Sequence, residues 1–346
     1  MYSIRILSME SLQKRLLIVI AGPTASGKTA LSIEVAKHFE AEIISCDARQ
    51  FYREMNIGTA KPSPEELAAA KHHFIDTHSV EHHYSAGDYE KDVLNFLDTY
   101  FKNKKVAIMV GGSGLFMRVV CEGVDSYPEI PENIRQELKD KFDKEGIVPL
   151  HEELLKSDPD YYAKVDLNNP HRIIRALEVC RVSKMPFSSF QGREKDERPF
   201  QVLKFALNWN REILYDRINR RVESMLSDGL EAEALKLYPK KQLNALQTVG
   251  YQEFFDFFDG KMSRAEAIEK IKQHSRNYAK RQVTWLKKEK DIHWIDMPTK
   301  TELILESIYI FLIKTKLCHD KISILLNLPH VSLGLKIISL KTIYLQ

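Results

Sequence analysis

The chain has 346 residues, 44% apolar and 29% charged, with a net charge of only +3. That length suits a sizeable core and two structural units, and so small a charge confines any nucleic-acid binding to a local basic surface. Four scattered cysteines (Cys46, Cys121, Cys180 and Cys318) form no C-x-x-C pair, which excludes a zinc ribbon or a disulfide framework and fits a reducing cytosol.

Residues 1–14 show neither a clear period nor the apolar run and cleavage site of a secretory signal, and Met9 is as good a start as Met1. Residues 16–21, LLIVIA, read as a buried strand of a parallel sheet. GPTASGKT (22–29) follows, and then Leu31, Val35 and Phe39 fall at helical spacing. Strand, G-x-x-x-x-G-K-[ST], helix is the setting of a phosphate-holding P-loop. Gly22, Pro23, Thr24, Ala25, Ser26 and Gly27 form its turn, and the amides around Gly22 and Gly27 can curl about phosphate oxygens. Lys28 is expected on the terminal phosphate and the Thr29 hydroxyl on a magnesium ion. The loop alone does not say whose phosphates these are, and ATP is the commonest answer.

EIIS (42–45) and VAIMV (106–110) read as further strands, leading to Cys46-Asp47 and to Gly111-Gly112-Ser113-Gly114. Ligands bind at such carboxyl ends in open α/β sheets, so Asp47 is a candidate for the same crevice, with a helix cap as its other reading. From 118 to 185 the pattern changes to three short helices, IPENIRQELKDKFDKEG, VPLHEELLKSDPDYYAKV and NPHRIIRALEVCRVS. QVLKFALNW (201–209) restores strand character. A long helical pattern follows, broken at Asp228-Gly229, with Arg211, Arg217, Arg220 and Arg221 crowded at its start. Residues 264–296 carry nine Lys/Arg before Asp291, interleaved with Tyr278 and Trp285. Such a helix serves phosphate contact and base stacking, or is a charged surface helix with its aromatics in the core. The apolar stretch 301–346 has no sustained period, an appended amphipathic helix being one option, and its removal is expected to leave activity intact. No stretch reaches the ~20 uninterrupted apolar residues of a membrane helix.

As a set, GPTASGKTAL, IISCDARQFYREMNIGTAKP, VGGSGLF, NPHRIIRALEV, DRINRRVESML, TVGYQE and YAKRQVTWLKK, in that order, resemble the bacterial tRNA dimethylallyltransferases. The resemblance runs from about residue 15 to 297, and IGTAKP and KRQVTWL are far more specific than the loop. It implies an α/β fold: a P-loop NTPase-like parallel sheet with flanking helices over 15–117 and 186–297, plus an inserted helical tRNA-binding domain over 118–185. Residues 1–14 and 301–346 are then extensions of unknown role. The implied reaction moves a dimethylallyl group from dimethylallyl diphosphate to N6 of adenosine 37, beside the tRNA anticodon, and releases diphosphate with Mg²⁺ as cofactor. A cytoplasmic monomer with no membrane and no obligate protein partner is implied as well.

Carried over position by position, the resemblance makes Asp47 the general base and Arg221 an arginine that closes on the diphosphate beside Lys28. It assigns tRNA contact to Asp47, Ala48, Arg49 and Gln50, to Ser113 and Arg135, and to His171, Arg172, Ile173, Ile174 and Arg175. Thr248, Val249, Gly250, Tyr251 and Gln252 are assigned likewise, as is the run Lys280, Arg281, Gln282, Val283, Thr284, Trp285, Leu286 and Lys287. Ala48 departs from the family's usual serine, Ser113 from threonine and Phe116 from tyrosine. An adenylate prenyltransferase would share the donor but not need the insertion or the basic helix, and a P-loop kinase would give Lys28 and Thr29 to ATP.

Overall fold

The computed structural model describes residues 14–125, 127–192 and 197–314; Met1, Met9, Cys318 and the rest of 315–346 lie outside them. LLIVIA forms β1 (Leu16–Ala21), and the glycine loop leads into α1 (Lys28–His38). β2 (Ile43–Cys46) extends through the cysteine, one residue beyond the expected run. α2 (Pro64–Ala69), the two-residue β3 (His72–His73), α3 (Ala86–Tyr100), β4 (Val106–Gly111) and α4 (Gly114–Glu122) follow.

Residues Glu122–Glu197 then make a separate compact unit. It contains α5 (Glu132–Glu145), α6 (Val148–Ser157), α7 (Pro159–Tyr162) and α8 (Pro170–Ser183) around Leu138, Leu150, Leu154, Ile173 and Leu177. The unit starts later than residue 118 because Met117, Val119 and Val120 of α4 are buried in the core of the sheet. It ends later than 185 because Phe187 and Phe190 close its own core. The stretch read as one helix over VPLHEELLKSDPDYYAKV is two. Pro159 cannot donate to a continuing helix, and the buried Asp158 carboxylate instead accepts from the Tyr161 amide (2.9 Å) to start α7.

The chain returns with β5 (Gln201–Asn208), α9 (Arg211–Ser227), α10 (Leu230–Leu237), α11 (Gln252–Phe258), α12 (Arg264–Leu286), β6 (Ile292–Asp296) and α13 (Thr301–Lys314). The six strands form one parallel sheet in the order β3-β2-β4-β1-β5-β6. Alternate residues of β1 serve opposite faces, as the two-residue period of a strand demands. Leu17, Val19 and Ala21 enter one core, and Leu16, Ile18 and Ile20 enter the other. Register places Ala21 and Cys46 on either side of Gly111, so the carboxyl ends of β1, β2 and β4 finish level. The glycine loop, Asp47 and Gly112 therefore open on one crevice.

The apolar stretch after residue 300 is not an appendage throughout. Ile304, Ile308, Tyr309 and Leu312 of α13 are buried in the same core as Leu31, Ile33 and Val35 of α1. The Tyr309 hydroxyl also meets the His38 ring at 2.6 Å. Truncation at residue 300 is expected to lower Tm by roughly 10 °C or more, since each such side chain contributes about 1.5–3 kcal/mol on burial. Thermal unfolding followed by circular dichroism measures this; an unchanged Tm would show that α13 is dispensable to the fold. Among the described residues, no helix is long and apolar enough to cross a membrane.

Candidate active site

The phosphate loop is held from several sides. Gly27, at φ 88°, turns the chain into α1 and gives its first amides no side-chain cap, so they remain directed at the crevice. Trp209 Nε1 donates to the Ser26 carbonyl (2.9 Å) and Arg217 Nε to the Ala25 carbonyl (2.8 Å). The Arg217 guanidinium also lies 4.6 Å from the Trp209 ring centre. Lys28 Nζ folds back to donate to the Pro23 carbonyl at 2.7 Å, and Arg221 reaches Thr24 Oγ1 at 3.3 Å.

These cations sit uncomfortably together. Burial, and next the Arg221 charge, push the Lys28 ammonium down to about 7, and Asp47 only partly opposes them. Burial likewise lowers Arg221, against the pull of Asp47 and Glu66. An anion entering here would relieve both groups, which is the electrostatic signature of a site built for phosphate. Ser26 Oγ is buried without a hydrogen-bond partner in the same loop.

Lys28, Thr29, Asp47, Gly112, Arg221 and Thr248 are among the residues lining a cleft of about 160 Å³. Asp47 Oδ1 accepts from the Arg49 amide at 2.9 Å, which fixes the turn after β2. Next to it, the Ala48 amide donates to Ser113 Oγ (2.9 Å), so the loop that lacks a serine at 48 is tied by a hydroxyl from β4's side. Arg49 is spent on the carbonyls of Ala48 and Asn244, and Gln50 on Ser45 Oγ and the carbonyls of Thr59 and Ala60. Tyr278 of α12 borders the cleft, its phenol pushed up to about 12 by burial and by the Asp47 charge.

Two segments turn out to be frameworks. At the start of IGTAKP (57–62), the Glu233 carboxylate accepts from the amides of Ile57 and Gly58 and of the preceding Asn56 at 2.9–3.0 Å. It also accepts from the Tyr251 hydroxyl at 2.7 Å. Gly58 has no room for a Cβ, which would lie 2.5 Å from the Tyr251 ring. Lys61 binds the Tyr52 carbonyl, Asn56 and Asp76. Tyr251 is thus fully buried and offers no side chain to RNA, while Thr248, Val249 and Gly250 do line the cleft and Gln252 is exposed. Sequence reading gave Glu233 no role, because nothing local marks a lone helical glutamate as the cap of a loop 175 residues away.

α12 begins with a capping box at Ser263 and Glu266 and divides into two faces. Lys280, Arg281, Thr284 and Lys287 are exposed, and Val283 is half-buried. Gln282 and Leu286 are buried, and Gln282 lines the cleft. Trp285 lies over Gly114, where any Cβ would be 2.2 Å from the ring. Arg118 stacks on it, 4.8 Å from the ring centre, and also holds buried Glu289.

In the helical unit the predicted residues split in the same way. Ile173 is core and Ile174 half-buried, whereas His171 and Arg172 are exposed. Arg135 (3.2 Å) and Arg175 (2.9 Å) both bind the buried Glu178, leaving each a partly exposed guanidinium. The i,i+3 spacing of Arg172 and Arg175 does not give equivalent side chains.

Comparison with known proteins settles the family. The IPP transferase family model matches residues 50–289. The chain belongs to the IPP transferase family. It is 50% identical over 292 residues to a tRNA dimethylallyltransferase of Christiangramia forsetii, covering 84% of this chain and 97% of that one. A tRNA dimethylallyltransferase of Flavobacterium psychrophilum is 47% identical over 309 residues, 88% of this chain and 99% of the relative. Among solved structures, the full-length tRNA isopentenylpyrophosphate transferase of Bacillus halodurans superposes with a TM-score of 0.65. It is 35% identical, over 88% of this chain and 97% of that one. A eukaryotic dimethylallyltransferase acting on tRNA gives a TM-score of 0.71 at 27% identity, over 82% of this chain and 74% of that one. This IPP transferase is therefore an enzyme with the P-loop-like parallel sheet expected from its sequence. The family match begins at Gln50, just past the loop and Asp47, so those two are placed by the geometry above.

Proposed function

We propose that this enzyme transfers a dimethylallyl group from dimethylallyl diphosphate to N6 of adenosine 37 in tRNA. The observation that carries the reading is the pair of buried cations, Lys28 and Arg221, with Asp47 near enough to act on both. The carbon–oxygen bond of the donor breaks as the carbon–nitrogen bond forms, and diphosphate leaves. Lys28, Arg221 and the amides at the start of α1 hold the charge growing on that leaving group. The exocyclic amine is a weak nucleophile, and Asp47 takes the proton it sheds.

The Thr29 hydroxyl lines the cleft and is the loop's candidate ligand for a divalent cation. No group of three or more acidic, histidine or cysteine side chains able to hold a metal occurs among the described residues. Mg²⁺ would use the Thr29 hydroxyl together with substrate oxygens and water, as this ion commonly does. When bound, it would neutralise diphosphate charge.

The target adenine must leave its stack to reach the cleft. Lys280, Arg281, Thr284 and Lys287 on the exposed face of α12, with Trp285, suit an anticodon stem-loop. His171, Arg172 and Arg175 suit phosphates of the same RNA. Arg281→Ala is expected to weaken tRNA binding and to reduce the slope of log affinity against log salt by about 1. Filter binding from low to moderate salt measures both; an unaltered slope takes Arg281 off the phosphates. Action as a cytosolic monomer belongs to this reading.

The decisive experiment incubates the enzyme with magnesium, labelled dimethylallyl diphosphate, unmodified tRNA and AMP, with and without ATP. Label is expected in the tRNA. Label in AMP alone, or phosphoryl transfer that needs ATP, would overturn the proposal.

A further inference from the structure

Gln282 stands among residues that the resemblance gives to tRNA, yet its side chain points the other way. Its Oε1 accepts from the Thr24 amide at 2.9 Å, and its Nε2 donates to the Gly112 carbonyl at 2.9 Å. A backbone amide needs an acceptor and a carbonyl a donor, so these partners fix the orientation of the side-chain amide. The residue is 7% exposed and borders the cleft. One side chain therefore ties the phosphate loop after β1 to the glycine loop after β4.

The fit leaves no slack. A Cβ on Gly112 would lie 2.2 Å from Gln282 Nε2, so glycine at 112 is what admits the amide. The loop amide of Thr24 is directed to Gln282, and the same residue's hydroxyl meets Arg221. Gln282 thus sets the face of the loop on which Thr24 stands. α12 is in turn braced on α9, which carries Arg217 and Arg221. Arg276 donates to Asn219 at 2.7 Å, Lys272 pairs with Glu223 at 2.7 Å, and Ala279 packs with Leu214 and Ile218.

We propose that Gln282 is a positioning residue for the diphosphate: it holds the phosphate loop in its binding shape and makes no use of its place on the RNA-facing helix. The inference rests on the reading of this cleft as a diphosphate site. Loss of both hydrogen bonds is expected to weaken diphosphate binding roughly tenfold, which is about 1.4 kcal/mol.

The test is calorimetric titration of inorganic diphosphate, with magnesium, into the full-length protein free of tRNA. Filter binding of an anticodon stem-loop is measured alongside. Gln282→Met keeps length and burial but neither hydrogen bond. It is expected to bind diphosphate about tenfold more weakly and the stem-loop within about twofold of wild type. Gln282→Glu, which keeps the acceptor for Thr24 but not the donor to Gly112, is expected to weaken diphosphate as well. Gly112→Ala attacks the same contact from the opposite side. It should weaken diphosphate binding in the wild-type background and do so less in Gln282→Ala, whose shorter side chain removes the 2.2 Å clash and leaves only the 3.3 Å approach to the Gly22 carbonyl.

Wild-type affinity for diphosphate in Gln282→Met, or a loss confined to the stem-loop, would overturn the assignment, as would fully additive losses in the double variant. Failure of the wild-type protein itself to bind diphosphate would overturn the reading of the cleft, and this inference with it.

Discussion

Asp47→Ala is expected to slow prenyl transfer by about 10²–10⁴-fold in single turnover, the range over which a positioned general base contributes. Two functions of this carboxylate need separating. Asp47 Oδ1 accepts from the Arg49 amide and so shapes the turn after β2. Its charge also raises Lys28 and Arg221 against burial. Asp47→Asn keeps an oxygen for the Arg49 amide and cannot accept the proton, so it is expected to fold like wild type and be slow like the alanine variant. Because asparagine also removes the charge that supports Lys28, the rate must be read at saturating donor. tRNA binding should change little in either variant. Near-normal single-turnover rates in Asp47→Asn would remove Asp47 from the proton transfer.

Lys28→Met is expected to lower the transfer rate by about 10²–10³-fold, as removal of one preorganised donor to a developing anion does. It should also abolish a pH dependence that the wild type possesses. With Lys28 at about 7 in the free protein, diphosphate binding draws the ammonium back to its charged form. Above pH 7 that binding takes up a proton, so affinity is expected to fall by up to about tenfold per pH unit. The stability of the ligand-free protein moves in the opposite sense. The native pKa lies below the ordinary 10.5, so between these values the unfolded chain binds more protons and stability rises with pH. The contribution is complete above 10.5 and is lost as pH falls through 7. Titrating diphosphate at several pH values, in buffers of different ionisation enthalpy, measures the proton uptake directly. A pH-independent affinity in the wild type would show that Lys28 takes up no proton on binding and is already charged in the free protein.

How far the sequence was legible depends on how local the cause was. β1, the glycine loop and α1 were readable because a buried strand, a helix start and the glycines between them all lie within 23 residues (16–38). Asp47 was readable for a related reason, since the parallel register that brings Cys46 beside Gly111 also puts the next residue at the crevice. What one strand or helix cannot announce is its partner in space. Gln282 and Thr24 are 258 positions apart, and no periodicity distinguishes a glutamine facing RNA from one facing the phosphate loop. The same limit hid the docking of α13, whose buried residues answer to α1 and not to each other. β3 is too short for any alternation to register, and β6 continues a charged helical segment without a composition break.

The strand order carries one more consequence, for synthesis rather than catalysis. β1 is made first and lies at the centre of the sheet, but its two neighbours are β4 and β5. Leu16 pairs with Val106 on one side and with Gln201 on the other. At about 5–20 residues per second, ribosomal elongation leaves LLIVIA without its second neighbour for roughly ten seconds or more. The most apolar strand of the enzyme is therefore the one that waits longest, exposed on a growing chain, while the helical unit between β4 and β5 is completed. Pairings so distant in sequence make folding slow. One edge of β1 therefore has no strand to pair with until residue 208 has been made.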